Sequence, residues 1–421
     1  MIQEVPDYGY LIYRPHHHFL WIDNYILVAY NSDNKTARGS IMKAHRIITI
    51  AAAAALAVPA YSSAAEREAP HRIVGYLPDW NYQPFNELDL NELTHINIAF
   101  CNPDENGRLF CYIPDDKLKS IVSEAHSHDV EVFAALGGGG GCDGYLQHLD
   151  TPEERAEFNA NIMDYCETYD FDGIDLDIEL GSNHKIWDYY GDWCAELRTL
   201  CDERDMEMST ATAQWVAQKV TPETFALFDF VNVMAYDNDL DKYSHASYEY
   251  SIECLNYFSE RKQIPKDKLV LGVPFYGRGY TPNGELDWNS YMSFADAVSK
   301  SDEYYSADVC EGIAYNGAVT MAKKAELAKD CSGIMIWELT QDAKGEQSLL
   351  KVINDTLRGE TSVAGDVNAD SSFNVSDLVL LQRWLLAAPD AELANWQAGD
   401  LCEDNRLDVF DLCLMRRMLV E

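Results

Sequence analysis

Basic residues are scarce in this chain: 32 Lys and Arg stand against 70 Asp and Glu, a formal net charge of -38 over 421 residues. Such a field repels phosphate backbones and anionic lipid headgroups, which argues against nucleic-acid and membrane-surface partners and favours a neutral polymer as substrate. No Cys-x-x-Cys pair occurs among the eleven cysteines, so a zinc ribbon or dithiol redox site has no support. Their odd number leaves at least one thiol unpaired. Buried apolar packing is the expected role, with Cys101 and Cys111 the pair that could still bridge. No Gly-Lys-Ser/Thr follows the run Gly137 to Gly141, which therefore reads as a flexible loop and not a phosphate cradle.

A long apolar run is missing too. The stretch from Ile47 to Ala60 is shorter than the roughly 20 residues that span a bilayer. It follows Met42, Lys43, Ala44, His45 and Arg46 and precedes Tyr61-Ser62-Ser63-Ala64-Ala65, the basic, apolar, small order of a secretory signal peptide over residues 42–65. Cleavage is expected near Ala64 or Ala65, giving a secreted protein with no membrane segment left. Because such a signal works from the beginning of a chain, residues 1–41 read as a mis-assigned upstream extension, with Met42 the expected start. His16, His17 and His18 accordingly get no metal role.

What is present is enough for one large domain and a small one, since single cores stop growing at roughly 250 to 300 residues. From residue 70 to 358 short β-rich runs alternate with stretches able to hold helices. The expected strands are Ile73 to Leu77, Leu93 to Phe100, Glu131 to Leu136, Phe171 to Leu180, Glu207 to Thr212, Phe228 to Tyr236, Leu269 to Phe275 and Gly333 to Trp337. Eight strands with crossover helices predict an α/β fold, a closed (β/α)8 barrel, whose working residues gather at the C-terminal ends of the strands.

Within Phe171 to Glu179, acids alternate with aliphatics, so Asp175, Asp177 and Glu179 share one face of a strand and Ile174, Leu176 and Ile178 the other. A half-exposed strand with a polar face would explain this in an antiparallel sheet. Parallel barrel strands are covered on both sides, so here the acids must line the interior. Packing three carboxylates without water costs several kcal/mol for each uncompensated charge unless protons are shared and pKa values rise, the signature of a catalytic cluster. Asn232, Met234 and Tyr236 share a face of another strand that ends at Asp237.

Asp172, Asp175, Asp177 and Glu179 reproduce the Asp-x-x-Asp-x-Asp-x-Glu signature, and the region from about Arg72 to Glu360 resembles glycoside hydrolase family 18. The resemblance implies a retaining, substrate-assisted mechanism without a catalytic cofactor. Glu179 is then the general acid and later the base, and Asp177 orients the substrate's acetamido group while sharing a proton with Asp175. Asp172 lies off the shared face and is expected to anchor the strand's entry. The segment Met234-Ala235-Tyr236-Asp237 resembles the family's Met-x-Tyr-Asp element, which makes Tyr236 the donor to the acetamido oxygen. Trp337 is implied as the hydrophobic floor under the cleaved sugar. Trp80, Trp215 and Tyr276 are candidates for stacking on flanking sugars, with core packing the alternative for each. At Ala135 the family usually has Ser, so a hydroxyl partner of Asp175 is expected to be missing. The stretch between the seventh and eighth strands reads as too short for an added α+β lobe, and a shallow, endo-acting groove is expected.

After a short linker at 359–364, residues 365–421 hold a repeat: Gly365-Asp366, Asp370, Asp377-Leu378 and Arg383 recur as Gly399-Asp400, Asp404, Asp411-Leu412 and Arg417. Each copy places acids at positions one, five and twelve of an EF-hand-like loop and follows it with one amphipathic helix. Asp366, Asn368, Asp370, Ser372 through its carbonyl, Asn374 and Asp377 form a nearly complete Ca2+ set. Asp400, Asp404, Asp408 and Asp411 form a second, weakened by Cys402 at position three. Ser371 and Asn405 stand where the turn glycine is usual. A loop and one helix, given twice, resembles a type I dockerin, an all-α calcium-binding module that attaches enzymes to a cohesin on a scaffold. The resemblance points to Val375 and Ser376, and to Val409 and Phe410, as the residues that read the partner.

The expected function is a secreted endo-chitinase cutting β-1,4 links between N-acetylglucosamine units and tethered through its dockerin. An endo-β-N-acetylglucosaminidase acting on the chitobiose core of N-glycans would use the same acids. A non-catalytic sugar-binding barrel is the remaining alternative, disfavoured by the presence of Glu179.

Overall fold

The structure, a computed structural model, describes residues 71–420 apart from 239–242, 360–362, 369–371, 389–390, 392, 394 and 403–405. The expected signal segment 42–65, the extension 1–41 and two proposed calcium ligands, Asp370 and Asp404, lie outside the described residues. Among the described residues no helix is long and apolar enough to cross a membrane.

Eight parallel strands close into a barrel: β1 (Arg72–Pro78), β2 (His95–Ala99), β3 (Glu131–Gly137), β4 (Gly173–Asp177), β5 (Glu207–Thr212), β6 (Phe230–Val233), β7 (Leu269–Pro274) and β8 (Gly333–Trp337). Their order around the barrel is β1-β8-β7-β6-β5-β4-β3-β2. Several of the expected strands are shorter than their alternation suggests, Phe171 to Leu180 and Phe228 to Tyr236 the most. The pairing of β4 ends at Gly137 opposite Asp177, and that of β6 at Val233, because the chain there leaves the ladder to form loops at the rim.

Alternation sorts the side chains into two cores. Ile174 and Leu176 of β4 face outward into the layer between strands and helices. Val74, Phe133, Ala135, Phe230, Val270 and Met335 fill the barrel's interior, together with the aromatic ring of Tyr76. Closure of β1 on β8 requires a glycine. Gly333 has φ +144°, and a Cβ there would stand 1.9 Å from the Arg72 carbonyl. Helix ends follow local signals. Thr151 and Glu154 make a capping box ahead of the helix Pro152–Tyr169, and Gly359 ends the helix Leu349–Arg358 in a left-handed turn.

Asp172 lies just before β4, where its carboxylate accepts hydrogen bonds from the Val132 amide at 2.7 Å and faces His126 Nε2 at 2.8 Å, tying the strand's entry to β3. All eleven cysteines are thiols, Cys101 and Cys111 included, and eight are buried. The short segment between β7 and β8 does fold into an added lobe. A four-stranded antiparallel sheet contains Tyr276–Tyr280, Leu286–Ser293, Val309–Cys310 and Ile313–Ala314. Reading the segment as too short was wrong because strands as brief as two residues suffice when a long hairpin carries them.

At the C-terminus the helices Val375–Leu385 and Val409–Met418 pack over a very small apolar centre in which Val367, Leu381 and Met415 are fully buried.

Candidate active site

The rims of the strands surround a cleft of about 1380 Å³. Into it open Asp177, Glu179, Met234, Tyr236, Asp237 and Trp337, so the residues singled out from sequence converge there, with Asp175 beneath them.

Asp175 is fully buried and well supplied with donors. Tyr76 Oη donates to its Oδ2 at 2.6 Å, while Ser209 Oγ and Asn232 Nδ2 donate to its Oδ1 at 2.6 and 3.1 Å. Burial raises its pKa, and these three hydrogen bonds oppose the rise. The hydroxyl expected to be lost at Ala135 therefore has a counterpart. Ala135 pairs with Asp175 on one side and Ser209 pairs with it on the other, so the hydroxyl comes from β5 in place of β3.

Asp177, one pleat higher, has no such support. Its Oδ1 is buried without a hydrogen-bond partner among the described residues. Burial first, then the charges of Glu179 and Asp175, push its pKa well above the usual carboxylate range. Glu179 follows two residues beyond the end of β4, on the loop and not on the strand, yet the alternation carries it to the same side, half-buried. Its pKa is pushed up to about 7, by burial and then by the charge of Asp237. Burial exceeds the negative neighbour as the cause.

Asp237 has the opposite fate. Burial would raise its pKa, but His245 Nδ1 at 3.2 Å and a bidentate Arg278, at 3.0 Å on each oxygen, hold it at about 2. Arg278 comes from the added lobe, with its guanidinium over the rings of Tyr276, Trp288 and Tyr291. None of these partners carries a sequence signal, because they reach the cleft from separate segments.

The glycine run is not a free loop. Gly137 has φ +111°, and a Cβ there would stand 2.1 Å from the Asp177 carbonyl, which accepts the Gly138 amide at 2.7 Å. A Cβ on Gly138 would strike the Phe100 ring, and one on Gly139 would stand 3.3 Å from Glu179 Oε1. Asn102 clamps the turn by bonding both the amide and the carbonyl of Gly137. Small residues thus let the loop pass close beside the acids.

Trp337 forms the cleft's apolar base, stacked on Phe100 at 5.7 Å and edge-on to Tyr76 at 5.5 Å. Tyr236 Oη lies 3.9 Å from Met335 Sδ, and burial raises its pKa well above 10, so it remains a protonated donor. Trp80 and Trp215 expose 60% and 46% of their surface on the cleft, as stacking platforms would. Tyr276, by contrast, is buried and stacked on Tyr291.

In the C-terminal repeat the two position-twelve acids are equivalent. Asp377 accepts from the amides of Asn368 at 3.3 Å and Asn374 at 2.9 Å; Asp411 accepts from those of Cys402 at 3.1 Å and Asp408 at 2.8 Å. Both carboxylates are completely buried. Two buried acidic side chains in a module with so small an apolar core fit loops built around a cation. Asp366 is buried as well, and the described members of the first set, Asp366, Asn368, Ser372, Asn374 and Asp377, offer oxygen throughout. The second set, Asp400, Asp408 and Asp411, departs at Cys402, whose Sγ lies 3.7 Å from Asp400 Oδ1.

Residues 72–342 match the glycosyl hydrolases family 18 model, and residues 364–420 match the dockerin type I domain. An endochitinase of Manduca sexta is 28% identical over 270 residues, covering 54% of this chain and 49% of that protein, so the chain spans about half the length of that relative. Among solved structures, the GH18 chitinase ChiB of Flavobacterium johnsoniae is 30% identical, covers 68% of this chain and 94% of its own, and superposes with a TM-score of 0.61. A chitinase of Bacteroides thetaiotaomicron is 27% identical, covers 69% and 97%, and gives 0.62.

Proposed function

The chain belongs to the glycosyl hydrolases of family 18, and from that membership we propose that it is a secreted, endo-acting chitinase that cleaves β-1,4 links between N-acetylglucosamine units. The observation that carries this reading is Glu179, a carboxylic acid in an open cleft with its pKa near 7.

At neutral pH a large share of Glu179 is protonated and can donate to the glycosidic oxygen as the bond to the anomeric carbon breaks. The substrate's acetamido oxygen attacks that carbon and gives an oxazolinium ion, so no second carboxylate nucleophile is needed. Asp177, high in pKa and with Oδ1 unengaged among the described residues, is suited to hold the acetamido N–H while Asp175 anchors it from below. The Tyr236 hydroxyl donates to the acetamido oxygen, and Trp337 supports the apolar sugar face. Glu179, now ionised, takes a proton from water as it opens the ring.

The C-terminal module serves as a calcium-dependent tether to a cohesin. Asp366, Asn368, Ser372, Asn374 and Asp377 would hold one ion and Asp400, Asp408 and Asp411 a weaker one, with calcium neutralising buried carboxylates and fixing the loops. Val375, Val409 and Phe410 are exposed at 63%, 57% and 68%, apolar surface suited to a partner. Ser376 opposite Phe410 makes the two copies unequal.

The test is Glu179→Gln, which keeps size and removes the acid. Turnover of chitin oligomers should fall by about 10²- to 10⁴-fold while oligomer binding is retained. Undiminished turnover would refute the role of Glu179. Release of glycan from high-mannose glycopeptides, with chitin oligomers untouched, would replace the substrate assignment while keeping the chemistry.

A further inference from the structure

The opposite end of the barrel carries a second cluster of ionisable groups that takes no part in this chemistry. Arg72, His95, Glu131 and Glu207 are the first residues of β1, β2, β3 and β5. In barrels this face serves stability, not catalysis.

His95 is 94% buried, its exposure being 6%, and its ring is wedged edge-on between Phe133 and Phe230. Thr94 orients it. The Thr94 hydroxyl lies 3.2 Å from the Ile73 carbonyl, which can take its proton, and 2.7 Å from His95 Nδ1. Assigned this way, Nδ1 carries the hydrogen and Nε2 presents its lone pair to two carboxylates. A lone pair aimed at anions needs a positive centre between them.

Distance decides which centre. Nε2 lies 3.4 Å from Glu131 Oε2 and 3.7 Å from Glu207 Oε2, too long or poorly aligned for a close hydrogen bond, although against the lowering effect of burial the two carboxylates raise the imidazole's pKa. A proton there would draw the oxygens to roughly 2.7 to 2.9 Å. Zinc binds His nitrogen and carboxylate oxygen at about 2.0 to 2.2 Å, and the edge of such a tetrahedron is about 3.3 to 3.6 Å. The ligand atoms of all three residues lie within 4.8 Å of one another. Glu207 is braced by Arg72, whose Nη2 donates to its Oε1 at 3.1 Å and lies at the longer distance of 3.5 Å from Oε2, the oxygen nearer His95. The half-exposed Glu131 leaves the site open to ion and water.

We propose that His95, Glu131 and Glu207 bind one divalent cation of the zinc class, with water as fourth ligand, and so pin β2, β3 and β5 together at the barrel's closed end. One nitrogen with two oxygens suits zinc better than calcium, which takes oxygen ligands in larger number.

The test uses the full chain carrying Cys402→Ser, to remove the thiol of the second loop, saturated with calcium and titrated with zinc chloride by calorimetry. His95→Gln and Glu131→Gln are then added singly. Zinc taken by the His16 to His18 run is common to all three proteins and cancels in the comparison. The expected result is loss of one zinc equivalent, or at least a tenfold weaker class of site, in both variants. Zinc should also raise the barrel's melting temperature in the parent but not in Glu131→Gln. Should His95→Gln fail to fold, the partly exposed Glu131 still decides the matter. Equal zinc stoichiometry and equal thermal response in the parent and Glu131→Gln would overturn the proposal and leave an imidazolium bridging two carboxylates.

Discussion

Two carboxylates stand on the same cleft with opposite electrostatics. Glu179, just beyond β4, meets no cation among the described residues and rises to about 7; Asp237, after β6, is gripped by Arg278 and His245 and falls to about 2. Both are largely removed from water, so burial cannot account for the difference. What separates them is the partner that the rest of the fold delivers. The anionic Asp237 in turn raises Glu179, so the ion pair of one supports the proton held by the other.

Breaking the Asp237 pair should have the largest effect on stability. Arg278→Met leaves the buried Asp237 carboxylate with His245 but without its bidentate cation and should cost about 3 to 5 kcal/mol at neutral pH, measured by denaturant unfolding. The sign follows from linkage. A folded pKa of about 2 against an ordinary 3.8 gives stability that is present above 3.8 and lost as pH falls toward 2, so the variant and parent should converge in that window. Equal stability of the two proteins at pH 7 would show that the pair contributes nothing.

The middle effect concerns Asp175. Ser209→Ala removes one of its three donors and should lower stability by about 1 to 3 kcal/mol. Because hydrogen bonds hold the Asp175 pKa down, losing one raises it. The acidic limb of the activity profile should therefore move to higher pH, a shift that a purely structural role would not produce. Adding Ala135→Ser should restore part of it, since position 135 faces Asp175 from the other side.

The smallest effect on catalysis belongs to the C-terminal module. Its fully buried side chains Asp377 and Asp411 accept backbone amide hydrogen bonds. A chelator should unfold this module and release a bound cohesin while chitin-oligomer turnover stays unchanged. Scanning calorimetry with and without calcium separates the two transitions, and a single calcium-independent transition would count against the loops.

The chain's linear pattern determined a good deal on its own. Alternation of acid and aliphatic along Ile174 to Glu179 gave the face on which the acids lie, and the constant offset between Asp366 and Asp400 gave the paired loops. These features are local, since period and spacing are properties of neighbouring residues. The added lobe escaped because its strands are too short to carry a period. The role of Gly137 to Gly139 escaped because the need for a missing Cβ arises only where Asp177, Phe100 and Glu179 close in.

Charge state belonged to the tertiary structure alone. The donors to Asp175 lie 99, 34 and 57 residues away, and Arg278 lies 41 residues from Asp237. A pKa is set by what stands within a few ångströms and by how far water is kept out. Sequence order therefore named the carboxyl groups, and only folding decided which of them would keep a proton.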